Sequence, residues 1–272
     1  MKKYLAVLIV MSLIEISLAV YLTFWREVFW NNIANKQALA FLEQLGWFSL
    51  IALIMCFMSG LSGYLVSLTG IEWRKKLDNI ARSKVDGKVL ENIPQRIQED
   101  CKEYPSLFLN LVFGIGKSLV YVVVFSCMIL ISFDYYLLLI LLGYSLIGTW
   151  ITKKIALPLI QLNYQAQKAE ATYRTALTNS TFYQCVWIML GLAKKQKNLN
   201  YFQSFYSQVA VVIPIIIIAP VYFTTVMTVG GLMRFTSTAS TILDNMAYGI
   251  TNFASINHLI ASRRRLTELG VL

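Results

Sequence analysis

The sequence predicts an all-α integral membrane protein with six transmembrane helices that continue into helical extensions on the cytoplasmic side. Three observations predict it. Hydrophobic residues make up 57% of the chain and charged residues only 14%, where a soluble domain carries about 25% charged residues. The mean hydropathy is +0.59, and the apolar residues fall in long uncharged runs rather than in short alternations. The Lys and Arg residues collect in the segments between alternate runs.

The runs place spans at approximately 5–24, 47–71, 105–133, 135–151, 205–229 and 238–261 of a single domain, 1–272. Leu5–Phe24 is too long an apolar region for a cleavable signal peptide, and no small-x-small site precedes the charged "WRE" that follows it. Trp47–Ile71 holds "SGLSG" (Ser59–Gly63), read as small residues for helix packing. Pro105–Phe133 contains "FGIGKS" (Phe113–Ser118), the tail of a phosphate-binding loop in appearance. A P-loop needs a further glycine where Leu111 stands, and it lies between a strand and a helix. This stretch instead has the length of a span, about 20 residues or more. Tyr135–Trp150 follows after a near-tight turn at Asp134. Asn198–Met233 is too long for one span, so part of it must extend or loop. Phe235–Ser262 is rich in Ser, Thr and Asn and should face a bundle or a wet cavity rather than lipid.

With the N-terminus inside, the cytoplasmic segments collect Lys2 and Lys3, the basic residues from Arg74 to Lys102 and from Lys153 to Lys197, and Arg263, Arg264 and Arg265. Of 24 Lys and Arg, only Arg26, Lys36 and Arg234 fall outside, and Lys117 lies within a span. The positive-inside rule therefore puts both termini in the cytoplasm. The net charge of +10 reflects this topology and does not indicate nucleic acid as a partner; no aromatic-rich binding module is present. The long inner segments carry helical apolar spacing, as at Val85, Val89 and Ile93 or Ile155, Leu159 and Leu162. Spanning helices should run on into the cytoplasm, joined by short transverse helices, with Pro94, Pro105 and Pro158 as breakpoints.

Several pieces in order carry a resemblance. They are "WREVFWNNIANKQALAFLEQLGWFSLIAL", "WRKKL" (Trp73–Leu77), "NIPQRIQED" (Asn92–Asp100), "EATYR" (Glu170–Arg174), "TVGGLM" (Thr228–Met233) and "RRRLTEL" (Arg263–Leu269). Over nearly its whole length the chain resembles the SbmA/BacA-like peptide transporters and the related membrane halves of subfamily D ABC exporters. The resemblance implies an ABC-exporter-type transmembrane domain and marks Trp73, Arg74, Gln95, Arg96, Tyr173 and Arg174 as motif residues. The chain stops three residues after Leu269, where an ABC half-transporter leads into its ATPase, so a domain without its own nucleotide-binding domain is expected. The resemblance then implies a homodimeric, proton-coupled importer of peptides or peptide antibiotics in the bacterial inner membrane. The alternative is a membrane subunit powered by a separate ATPase. Three departures stand out. Asn92-Ile93-Pro94-Gln95-Arg96 replaces the family's Asn-Pro-Asp-Gln-Arg, Gln184, Cys185 and Leu192 stand where relatives carry acids, and the larger members have an additional N-terminal segment.

Proton coupling needs a carboxylate whose pKa is raised by burial. Glu170, Asp244, Glu99, Asp100 and Glu15 are the candidates. Glu15, mid-span, is either such a group or the salt-bridge partner of Lys117, since intramembrane charges are usually paired. Lys117 is read as that counter-ion or as a snorkelling residue. Glu99, Asp100 and Glu170 either take part in coupling or pair with Arg96 or Arg174. Trp25, Trp30 and Trp47 read as interface anchors, alternatively as a vestibule. His258 is a hydrogen-bonded bundle residue or a group titrating near neutral pH. The four cysteines have no paired spacing and read as small buried hydrophobes, and a single His leaves no zinc cluster. No catalytic constellation, metal site or cofactor is expected.

Overall fold

The computed structural model describes residues 2–85, 93–154, 179–268 and 270–271. The chain folds into α1 (Lys2–Ala34), α2 (Ala38–Val85), α3 (Ile93–Ser132), α4 (Tyr135–Lys154), α5 (Asn179–Thr224), α6 (Val229–Met246), α7 (Tyr248–Thr251) and α8 (Phe253–Glu268). Among the described residues there is no strand. Five helices, α1 to α5, are long and apolar enough to cross a membrane. Helix is the expected solution there, because hydrocarbon offers no partner to an unpaired backbone N–H or C=O. The 48 residues of α2 extend about 72 Å at 1.5 Å per residue, more than twice the ~30 Å hydrocarbon core. The expected continuation of spans into extensions therefore holds for α2.

The connection between the first two expected spans, 25–46, is not a loop. The helices α1 and α2 run almost to each other, and only Asn35, Lys36 and Gln37 join them. Lys36 takes the left-handed conformation at φ 57°, and the N–H groups of Asn35 and Gln37 donate to Asn31 O and Asn32 O at 2.9 Å. Trp25 consequently is no lipid anchor. It is buried, stacks on Phe29 and Phe48 at 4.7 and 5.0 Å, and its indole N–H donates to Gln44 O at 3.0 Å. Trp25 fastens the two helices beside their turn. Trp47 is exposed, as an anchor would be.

Two further expectations change. Pro105 lies fully buried inside α3 and does not end it; neighbouring helices let a membrane helix tolerate proline. Pro94 sits in the first turn of α3, where its missing N–H costs nothing. Pro158 lies outside the described residues, as do Val89 and 155–162. The sixth expected span, 238–261, is divided by single-residue turns at Ala247 and Asn252 into α6, α7 and α8, although the N–H groups of Ala247, Thr251, Asn252 and Ile256 still donate four residues back. The Asn245 amide donates to Thr241 O at 2.8 Å and the Asn252 amide to Tyr248 O at 3.0 Å, and such side chains compete with the backbone ladder. The fifth span ends at Thr224, and residues 225–228 turn the chain into α6.

Two cores hold the bundle. Near the turns at Lys36, Asp134 and Thr225, which we call the turn end, Phe125 and Ile129 of α3 meet Leu137 and Leu141 of α4 and Phe235 and Ile242 of α6. At the opposite, basic end, Leu77 and Ala81 of α2 pack with Cys101 and Tyr104 of α3 and Leu266 of α8. The outward surface is apolar, with Leu53, Phe57, Leu119 and Ile131 among its exposed side chains. That is the inversion of a soluble fold and suits lipid.

Candidate functional site

Polar groups occur at three levels of the bundle and line one cavity. At the turn end, Arg234 on α6 donates through Nη1 to Glu27 Oε2 of α1 at 2.7 Å and through Nη2 to Ser132 Oγ of α3. Its guanidinium lies between the rings of Phe24 (4.7 Å) and Phe133 (5.5 Å). The Gly230 N–H donates to Asn31 Oδ1 at 2.9 Å. A Cβ on Gly230 would stand 2.1 Å from Glu27 O, so only glycine lets α1 and α6 approach this closely. One arginine thus ties three helices. The sequence places Arg234 outside with no role; its position immediately before the polar sixth run is the available signal.

In mid-bundle, Glu15 is 6% exposed. Lys117 Nζ donates to its Oε2 and Ser62 Oγ to its Oε1, the latter at 3.4 Å. The salt-bridge alternative for Glu15 and Lys117 is therefore the observed one. "FGIGKS" is helix interior. Its Gly114 gives way to Tyr248, whose hydroxyl would lie 1.8 Å from a Cβ there. The glycines of "SGLSG" do not pack in the chain as expected, since Gly60 and Gly63 have nothing within 4 Å. The working residue of that stretch is Ser62.

At the basic end, Asp100 is 2% exposed. Arg265 grips it bidentately, Nη2 to Oδ1 at 2.6 Å and Nε to Oδ2 at 2.9 Å. This hydrogen bonding holds the Arg265 charge even more firmly than usual. The pairing alternative in sequence offered Arg96 or Arg174; the fold brings up Arg265 from α8, beneath the second core. His258 Nε2 stands 3.5 Å from Glu103 Oε2, joining the same two helices. Glu99 is exposed beside this cluster. Trp73 packs edge-on against Tyr104 and Phe108 at 5.8 and 5.2 Å, and Arg74 lies 3.6 Å from Asp78 one turn on. Both are structural here. Gln95 and Arg96 fall in the first turn of α3, with side chains outside the description; Glu170, Tyr173 and Arg174 lie outside the described residues altogether. Cys101 is buried as expected, but Cys56 and Cys127 face outward. Among the described residues no His, Cys, Asp and Glu group could hold a metal ion.

Asp244 is different. It opens onto a cavity of about 530 Å³ between α4, α5 and α6, together with Thr152, Phe202, Tyr206, Ser207 and Ser240. Among the described residues it forms no ion pair. Tyr206 stacks on Tyr144 at 4.8 Å and on Phe202 at 6.0 Å, and the Tyr144 hydroxyl donates to Tyr206 O at 3.0 Å. A Cβ on Gly148 would strike the Tyr206 ring at 2.2 Å, so this glycine seats the aromatic wall against α4. The aromatic wall went unnoticed in the sequence because its members look like ordinary apolar span residues.

A bundle of long apolar helices with basic extensions and a side cavity is the architecture of a transporter's membrane domain. The family described as ABC transporter transmembrane region 2 matches residues 2–181. The chain belongs to this family. The ordered motifs pointed the same way. The inner membrane ABC transporter ATP-binding protein YddA of Escherichia coli K12 is 25% identical across 98% of the chain and 57% of its own length. The chloroplastic ABC transporter D family member 2 of Arabidopsis thaliana is 23% identical across 98% and 42%. The chain spans about half the length of the curated relatives it matches. In fold it is similar to a bacterial Atm1-family ABC exporter with ATP bound, with a TM-score of 0.69 over 98% of this chain and 53% of that one, at 12% identity. This ABC transmembrane domain thus shares the fold of that exporter chain and is multi-pass.

The mid-bundle pair generates a stability prediction. Glu15 is nearly enclosed whereas Lys117 is 34% exposed, so the carboxylate loses more when its partner goes. Lys117→Met should destabilise the purified protein by about 2 kcal/mol, discounted for the exposure of the lysine. Glu15→Gln should cost less, because Lys117 can swing to water. The double variant should melt close to the wild type. A double variant less stable than either single one would show that the pair is not a compensating unit.

Proposed function

We propose that this ABC transmembrane domain forms, as a homodimer in a bacterial inner membrane, the conducting half of a transporter driven by an ATP-binding unit. The observation that carries the reading is the match along 98% of the chain to a relative that is itself an ABC transporter ATP-binding protein. Geometry supports it from the other side. Two of the candidate carboxylates, Glu15 and Asp100, are already engaged by Lys117 and Arg265, so each has a structural partner inside the bundle. Homodimerisation fits an apolar groove of about 620 Å³ between α1, α2 and α3 that a single copy leaves open.

A second reading, proton-coupled import of peptides, is favoured by Asp244, the carboxylate facing the α4–α6 cavity without an ion pair. Glu170 and Glu99 remain candidates under it. The two readings separate in proteoliposomes holding the purified protein with its cognate ATP-binding unit, using a panel of labelled solutes that includes peptides. ATP-dependent, vanadate-sensitive transport is the expected result. Uptake driven by an imposed proton gradient in the absence of ATP would replace the first reading with the second.

The charge distribution supports cytoplasmic termini. An impermeant amine reagent should label Lys36, at the exposed α1–α2 turn, from the outer face, and Lys195 only after permeabilisation. Labelling of Lys36 only from the cytoplasmic face would reverse the orientation.

A further inference from the structure

The α4–α6 cavity has the chemistry of a particular ligand class. It lies deep in the bundle. At 1.5 Å per residue, Asp244 sits about 22 Å along α6 from the turn end, Thr152 about 26 Å along α4 and Tyr206 about 27 Å along α5. The three converge at one level, which is why they line one space. Among the described residues that line it, that space holds a single formal charge, negative, and no Lys or Arg side chain. On α4 Lys154 turns its ammonium onto the Trp150 ring at 3.9 Å, and on α5 Lys197 stands 5.8 Å from the Tyr201 ring. Both cations are thus engaged with aromatic rings on their own helices rather than with Asp244.

The walls divide the work. The Phe202 and Tyr206 rings present aromatic surface held in place by the stack on Tyr144, and the edge against Gly148 leaves Tyr206 little room to turn. Ala210, Val211 and Leu243 add apolar surface. Ser207, Ser240 and Thr152 add hydroxyls, of which Thr152 already donates to Gly148 O and so offers only its lone pairs inward. Asp244 is exposed to this space, so an anion entering it would be repelled. A neutral apolar molecule would leave that carboxylate without compensation. A cation on an apolar body satisfies both walls, since aromatic faces attract cations and a carboxylate with no ion pair among the described residues takes a counter-charge. The volume accommodates a small organic ion and greatly exceeds what one metal ion needs.

From these walls we infer that the cavity is a binding site for lipophilic organic cations, molecules carrying a protonated amine or a quaternary centre on an apolar or aromatic frame. Asp244 neutralises the charge, and Phe202 and Tyr206 face the cationic head. The assignment rests on the chain being a transporter's membrane domain and supplies the substrate class of that domain. Binding needs neither ATP nor a gradient, so it stands or falls separately from the energy source.

The test uses two probes of the same shape and opposite charge, tetraphenylphosphonium and tetraphenylborate, in equilibrium dialysis against the full-length protein in detergent. The wild type should bind tetraphenylphosphonium saturably. Asp244→Asn, which keeps size and hydrogen-bonding capacity, should weaken that binding at least tenfold while leaving tetraphenylborate binding equal or tighter. Phe202→Leu keeps an apolar wall but removes the ring, and should weaken the cation about threefold or more with little change for the borate. Melting curves matching the wild type establish that each variant is folded. Equal tetraphenylphosphonium affinity in wild type and Asp244→Asn would overturn the inference, as would failure of the wild type to bind it saturably. Transport failure with binding intact would count against the proposed function and leave the site standing.

Discussion

A charge in a bilayer must find a partner, and the arrangement of this molecule follows from how its few membrane-embedded charges do so. Glu15 on α1 meets Lys117 on α3 and Ser62 on α2. Each of these contacts fixes the depth and rotation of one helix against another, because a single-turn slip would strand a carboxylate in hydrocarbon. The pairings at the two ends work alike. Glu27, Arg234 and Ser132 tie α1, α6 and α3, and Asp100 with Arg265 ties α3 to α8. Apolar packing fills the space between these fixed points but, with lipid outside, has little power to specify register by itself.

How much of this the sequence disclosed depends on the distance over which each cause acts. The five long spans are legible because hydropathy sums over about 20 adjacent residues. The Glu15–Lys117 pairing was legible as one of two options, since each is conspicuous inside its run. The helical hairpin between the expected spans 5–24 and 47–71 was not legible, because "WREVFWNNIANKQALAF" is polar enough to lie outside the hydrocarbon while remaining fully capable of helix. Its actual turn depends on one lysine in the left-handed region. The breaks at Ala247 and Asn252 depend on amide side chains that either back-bond or face outward, a choice decided in three dimensions. Asp100 and Arg265 are separated by 165 positions, so nothing local could name that partner over Arg96.

The α4–α6 cavity shows the same division. Asp244 was visible as the lone acid in a polar run, whereas Phe202 and Tyr206 became a wall only when α5 was laid beside α4 at Gly148. The three carboxylates differ in partnership. Glu15 and Asp100 are held by Lys117 and Arg265. Asp244 opens onto the cavity and forms no ion pair among the described residues, which is the ground on which the proposed site is centred on it.

The most direct measurement compares transport by two full-length variants reconstituted at equal density with the cognate ATP-binding unit. One is the neutral pair Glu15→Gln/Lys117→Met, and the other is Asp244→Asn. The account predicts that the pair-deleted protein folds and transports a lipophilic cation within about threefold of the wild type, while Asp244→Asn folds and loses most of that transport. Full transport by Asp244→Asn together with loss in the folded pair-deleted protein would contradict it, by showing that the buried pair and not the open carboxylate does the work.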